Sequence, residues 1–165
     1  MKYLTLVRHA KSSWKDLSLS DYQRPLNQRG LRDLPALCER LAGFKLLPDR
    51  LIYSPARRTQ ITAEGIIHRL SLTTDAVLSC ATVYEASATE LLNLISSEAN
   101  NTNHLMLVGH NPGLQDLGDL LTAETLPHFP TSAVLHLALH IDHWQEAGPA
   151  TATCQLLDYP GLHTH

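Results

Sequence analysis

Three short apolar runs, each stopped abruptly by residues that carry chemistry, constrain this chain more than any other feature. Tyr3 to Val7 ends at Arg8-His9. Arg50-Leu51-Ile52-Tyr53 ends at Ser54-Pro55-Ala56-Arg57-Arg58. His104 to Val108 ends at Gly109-His110-Asn111-Pro112. Runs of this length and β-favouring composition, bounded by turn formers, read as buried strands. Helical spacing fills the intervals. Leu31, Leu34, Leu37, Cys38 and Leu41 form one such face, closed by Gly43, and Ile61, Ala63, Ile66, Ile67 and Leu70 form another. Ala88 to Ala99 and Leu114 to Leu121 follow the same pattern. Pro35 falls inside the first helix and predicts a kink or a late start there. Residues 73–83 hold short β-like pieces, and two late strands, Ala133 to Ile141 and Ala152 to Leu157, close the chain. Alternating strands and helices predict an α/β sheet covered on both faces.

At 165 residues the chain is long enough for one self-sufficient core. The expectation is a single domain over residues 1–159 and a flexible tail over 160–165. A formal charge of −3 argues against a generally basic nucleic-acid binder. No apolar run approaches the length of a membrane span, and the N-terminal run is too short for a signal h-region. The three cysteines are widely spaced with no CxxC, which predicts free thiols in a reducing compartment, the cytoplasm. The basic residues are skewed, nine Arg against four Lys, and there are ten His. Arginine favours bidentate phosphate binding, and histidine suggests metal or acid–base chemistry.

Position decides between these. Sites in open α/β sheets lie outside the carboxyl ends of the strands. If the three strands are parallel neighbours, Arg8, His9, Arg58 and His110 converge there as an anion site around a nucleophilic or acid–base histidine. Arg8-His9-Ala10 resembles the RHG signature of the histidine phosphatase superfamily. Residues 54–63 resemble its SxxxRAxxTA element, and Val108-Gly109-His110-Asn111-Pro112 its second-histidine element. Arg24-Pro25-Leu26 with Arg29-Gly30 resembles the loop of the small SixA-type branch, the phosphohistidine phosphatases.

That resemblance implies the three-layer α/β/α sandwich of the superfamily (the phosphoglycerate mutase-like fold), with a mostly parallel central sheet. It implies His9 as a transiently phosphorylated nucleophile. Arg8, Arg58 and His110 would form the phosphoryl pocket, with Arg24 as an arginine added by the SixA-type branch. Glu85 matches the place of the family's proton donor, with Asp21 the next carboxylate candidate. Ala10 and Thr59 depart from the family's Gly and Ala, and Lys15 after Trp14 departs from the mutase-like branch. The chemistry agrees with these roles. Fixed cations stabilise a phosphoryl group in transfer, and nearby guanidiniums disfavour imidazolium, keeping His9 neutral. Its second ring nitrogen needs a partner, expected to be a main-chain carbonyl.

Other readings stay beside these. Arg24 also suits a surface ion pair with Asp21, and Glu85 the N-terminus of the following helix. His136 and His140 alternate with Leu135, Leu137 and Leu139, which predicts a leucine core face and outward histidines rather than a metal site. No metal or organic cofactor is implied. The expected partner is a phosphorylated protein or a small phosphorylated substrate, with no nucleic acid and no membrane. Only one helix fits between Glu85 and the His104 strand, so the pocket should be open, which suits a phosphoprotein. A small-molecule phosphomonoesterase and a phosphate-binding module without turnover are the alternatives.

Overall fold

The computed structural model describes residues 1–163. One six-stranded sheet runs through them in the order β3-β2-β4-β1-β5-β6. The strands are β1 (Lys2–Arg8), β2 (Arg50–Tyr53), β3 (Val77–Ser79), β4 (His104–Gly109), β5 (Val134–Leu139) and β6 (Ala152–Asp158). The first four are parallel, while β5 and β6 run antiparallel at one edge. The helices are α1 (Gln28–Gly43), α2 (Arg57–Leu70), α3 (Ala88–Ser96) and α4 (Gly113–Thr122).

Two cores sandwich the sheet. Val7, Met106, Val108 and Val134 meet Leu37, Leu41, Ala63 and Ile66 of α1 and α2 on one face. Leu4, Leu6, Leu105, Leu107, Leu135 and Leu137 meet Leu91, Ile95, Leu114 and Leu117 of α3 and α4 on the other. This is the three-layer α/β/α arrangement expected. The strands alternate between the two cores because successive side chains point to opposite faces. At about 25 cal/mol per Å² of apolar surface, each fully buried Leu or Ile contributes roughly 1.5–3 kcal/mol. No helix among the described residues is long and apolar enough to cross a membrane.

Three expectations need correction. α1 has no late start: it begins at Gln28, capped by Asn27, whose side chain accepts from the Gly30 N–H, and it continues through Pro35. Pro35 and Leu31 both lie on its exposed side, so the carbonyl freed by the missing N–H turns to water, and Leu31 is not a core residue. His136 is not the solvated side chain expected. β5 lies between β1 and β6, and its second face is covered too, so His136 is half-buried against the Thr5 hydroxyl at 2.8 Å and stacked on Tyr3. His140 is exposed, as expected. Finally, the first residues of the expected tail are tied down. Pro160–Leu162 form a 3-10 turn, and His163 Nε2 lies 2.6 Å from Asp158 Oδ1. Thr164 and His165 lie outside the described residues.

Candidate active site

β2, β4 and β1 are parallel neighbours in that order, so their carboxyl ends deliver Ser54, His110 and His9 to one crevice. The backbone joins these ends directly. His9 N–H donates to the Gly109 carbonyl at 3.1 Å, and Ser54 N–H to the Val108 carbonyl at 3.1 Å. α2 starts immediately after β2 and carries Arg58 in its first turn. Thr62, one turn further on, accepts from the Ala10 N–H at 3.0 Å and donates to the Arg58 carbonyl at 2.8 Å. That threonine fastens the His9 turn to the helix holding Arg58. Gly30 lets α1 approach the same turn, since a Cβ there would collide with the Lys11 carbonyl oxygen.

His9 Nδ1 lies 2.7 Å from the Ala10 carbonyl, which can only accept. Nδ1 therefore carries the proton and Nε2 presents its lone pair. Arg58 Nε approaches that lone pair at 3.4 Å, a long contact that an incoming oxyanion would replace. Burial pushes His9 down to about 3; the Ala10 carbonyl opposes this, and His110, Arg58 and Arg8 add to it. The expected cause, neighbouring guanidiniums, is thus secondary to desolvation.

The His110 ring lies 5.2 Å from that of His9, and its Nε2 is 2.8 Å from Ser54 Oγ. Ser54 Oγ already accepts from the Ala56 N–H at 3.3 Å. Satisfying the hydroxyl proton has Ser54 donate to His110 Nε2, which leaves His110 Nδ1 as an N–H donor. That atom is buried and unpartnered, and so is Arg8 Nε. Buried donors without partners are costly and mark a place for an acceptor. Burial, then Arg58 and Arg8, hold His110 at about 4 against the opposing pull of Asp21.

Three guanidiniums surround this pair. Arg8 donates through Nη1 to the Phe129 carbonyl at 3.2 Å. Arg24 is buried, with its guanidinium 3.5 Å over the Trp14 ring and a bond from Nη1 to Ser12 Oγ at 2.8 Å. It does pair with Asp21, at 2.8 Å, with the arginine buried and the carboxylate exposed at the edge of the site. Asp21 also takes Arg58 Nη2 at 3.0 Å and the Tyr84 hydroxyl at 2.6 Å. Burial opposes ionisation of Asp21, but the bonds from Tyr84, Arg24 and Arg58 outweigh it and hold its carboxyl below the usual carboxylate range. Asp21 is therefore an anchor for two arginines and not a proton donor.

Glu85 is exposed, on a turn with φ of 54°, within reach of Tyr84. It lines a cavity of about 450 Å³ with Asp21, Arg58, His110 and Asp116. It does not cap α3: Ser87 and Glu90 do so, in a reciprocal capping box. Next to this cavity lies one of about 290 Å³ around Arg8, His9, Arg24 and Trp14. A larger cavity, about 560 Å³, opens at the opposite ends of the strands, where Arg50 is tied to Glu98 at 3.0 Å. No histidine, cysteine or lysine lines it among the described residues.

The structure thus brings Arg8, His9, Arg24, Arg58 and His110 together and places Glu85 at the mouth. Ser54, Thr62, Trp14 and Tyr84 are the supporting residues that sequence reasoning left without a role. The first two stand in the quoted motif, whereas Trp14 and Tyr84 are signalled only by the fold.

A family model described as histidine phosphatase superfamily, branch 1, matches residues 4–79. An uncharacterised chloroplastic protein of Arabidopsis thaliana is 30% identical, covering 87% of this chain and 69% of that one. This chain belongs to the histidine phosphatase superfamily. The family match supports a phosphatase. Its fold is shared with solved structures at lower identity. A protein of Agrobacterium tumefaciens named as a phosphohistidine phosphatase, SixA, superposes with a TM-score of 0.83 at 23% identity, over 96% of this chain and 98% of that one. The protein histidine phosphatase SixA complexed with tungstate gives 0.83 at 21% identity, over 98% and 99%.

Proposed function

We propose that this histidine phosphatase removes phosphoryl groups from histidine in a protein, through a covalent intermediate on His9. His9 Nε2 attacks phosphorus while the bond to the substrate imidazole breaks. The substrate ring, protonated on its distal nitrogen, departs as neutral imidazole. Arg8, Arg24, Arg58 and His110 Nδ1 hold the three equatorial oxygens as charge spreads over them. Water then attacks the phosphoryl group on His9, the N–P bond breaks, inorganic phosphate leaves with the water's protons, and His9 returns with its Nδ1 proton still donated to the Ala10 carbonyl.

The observation that carries the substrate class is the absence of a committed acid on the leaving side among the described residues. Asp21 is ionised and spent on Arg24, Arg58 and Tyr84, and Glu85 is exposed at the rim. An alkoxide needs a positioned general acid worth roughly 10²–10⁴-fold, and a protonated imidazole does not. The open mouth supports the same reading: only α3 stands between Glu85 and β4, so no inserted segment roofs the pocket.

The test compares kcat/KM on a histidine-phosphorylated peptide with that on the same peptide carrying phosphoserine. The phosphohistidine peptide should be favoured by roughly 10²-fold, the worth of the missing acid. Equal or faster release from phosphoserine would reassign the enzyme as a phosphomonoesterase. No release from either would leave a phosphate-binding module.

A further inference from the structure

The charges of this chain are segregated along the sequence: no Lys or Arg follows Arg69, whereas Asp and Glu continue to Asp158. The fold turns that segregation into two sides. The segment up to Arg69 supplies the loop of residues 11–26 and helices α1 and α2, and the acidic remainder supplies α3, α4 and the β5–β6 edge. The active site lies on the seam. One rim of its mouth carries Glu85 and Asp116. The other carries exposed Lys11, Lys15 and Arg57, none of which makes an ion pair among the described residues; of its carboxylates, Asp21 is held by Arg24 and Arg58, and Asp16 accepts from Ser18.

That basic rim is also where large apolar side chains stand in water. Trp14 is 68% exposed, Leu17 86% and Tyr22 42%, all within nine residues of one loop. Beside them a shallow groove of about 380 Å³ is walled by Leu19, Tyr22, Pro25 and Pro55 and ended by Arg57. Exposed apolar clusters rimmed by charge mark interaction sites, and aromatic and arginine side chains dominate their energetics. The loop is wired to the chemistry as well. The Trp14 ring is the wall against which Arg24 lies, and Arg24 shares Asp21 with Arg58.

Resting on the phosphoprotein reading above, we propose that the 11–26 loop and Arg57 form the docking surface for the substrate protein. Its occupant is a protein face with an apolar side chain flanked by Asp or Glu beside the phosphohistidine. Charge complementarity selects this occupant. Such a face is attracted to Lys11, Lys15 and Arg57, while Glu85 and Asp116 repel it from the opposite rim. The two rims therefore fix the direction in which the partner lies across the pocket. Contact at Trp14 also holds Arg24 against the phosphoryl group, so docking and phosphate binding reinforce each other.

The probes are two histidine-phosphorylated peptides of equal length, one flanked by Leu, Asp and Glu and the other by Leu and Lys, with free phosphohistidine as the reference. The acidic peptide should be favoured about tenfold in kcat/KM, and the preference should shrink as salt screens the exposed charges. The double variant Lys15→Glu, Arg57→Glu should abolish or reverse that preference, and Leu17→Ser should raise KM for both peptides. Both variants should keep the wild-type rate on free phosphohistidine, because these side chains lie outside the pocket. Equal rates on the two peptides, or a preference that survives the double variant, would overturn the docking surface. A wild-type enzyme inert toward all three phosphohistidine probes but active on phosphoserine would instead overturn the substrate class on which the docking surface rests.

Discussion

Strands β1 and β4 carry a histidine pair at each end. His9 and His110 follow their carboxyl ends; His104 opens β4 and meets His136 of β5 across Thr5 of β1. Ring centroids are 5.2 Å apart in both pairs. Burial pushes all four down, His9 to about 3, His104 and His110 to about 4, and His136 below its ordinary value. What separates the pairs is satisfaction and charge. At the far end, the Thr5 hydroxyl serves His104 Nε2 at 2.7 Å and His136 Nδ1 at 2.8 Å. At the active end, the guanidiniums of Arg58 and Arg8 crowd the rings, and buried donors on Arg8 and His110 have no partner. Two close, neutral histidines do not make a site. Donors left open beside a fixed lone pair do.

The comparison breaks most easily at His9. Replacing it with Ala should cut turnover by roughly 10⁴-fold or more while the chain stays folded, as circular dichroism and a thermal melt will show. Turnover near wild type would move the nucleophile elsewhere. Arg58→Ala should lose roughly 10²–10³-fold in kcat, because its guanidinium stabilises charge at the phosphoryl oxygens. A loss confined to KM would mean that Arg58 only binds the ground state.

At the other pair the effects should reverse. Thr5→Val keeps the shape but removes the partner of two half-buried rings, at a cost of about 0.5–1.5 kcal/mol in urea unfolding, with kcat/KM unchanged. A collapse of activity without loss of stability would erase the distinction between the two ends. The smallest effect is on the pH profile of activity. The acid limb set by His9 should lie near 3, so kcat/KM should not fall from pH 7 to pH 5, where the leaving imidazole gains its proton. A loss of activity below 6.5 would make His9 an ordinary histidine. Stability responds over the same range with a definite sign. The unfolded chain takes up protons near 6.5 that the folded rings refuse until about 4 or below, so folding stability, complete above 6.5, must fall as the pH drops through that window. His104→Gln should make that fall shallower.

The residues at the strand ends were legible because each motif is local and strand pairing alone brings the three motifs together. The sheet order decided whether they met, and alternation of strands and helices made parallel neighbours the natural arrangement. The 11–26 loop was opaque for the opposite reason. It has no hydrophobic period, and Asp21 reaches Arg58 and Tyr84 only because the loop folds back over α2, a long-range contact that no local spacing records. Trp14 over Arg24 is hidden in the same way. His136 was misplaced by a rule that holds for sheets with one wet face, whereas β5 is covered on both. Ser54 and Thr62 stood in the recognised motif, yet their work, orienting His110 and pinning the His9 turn, is visible only as hydrogen bonds.

The central claim is that His9 Nε2 takes the phosphoryl group. A rapid acid-free quench during a single turnover of a ³²P-labelled phosphohistidine peptide, followed by peptide mapping, tests it most directly. The predicted result is a base-stable, acid-labile phosphoryl group on His9 that forms and decays with turnover. Label on His110 or on a carboxylate, or turnover with no labelled chain at any time, would contradict the account.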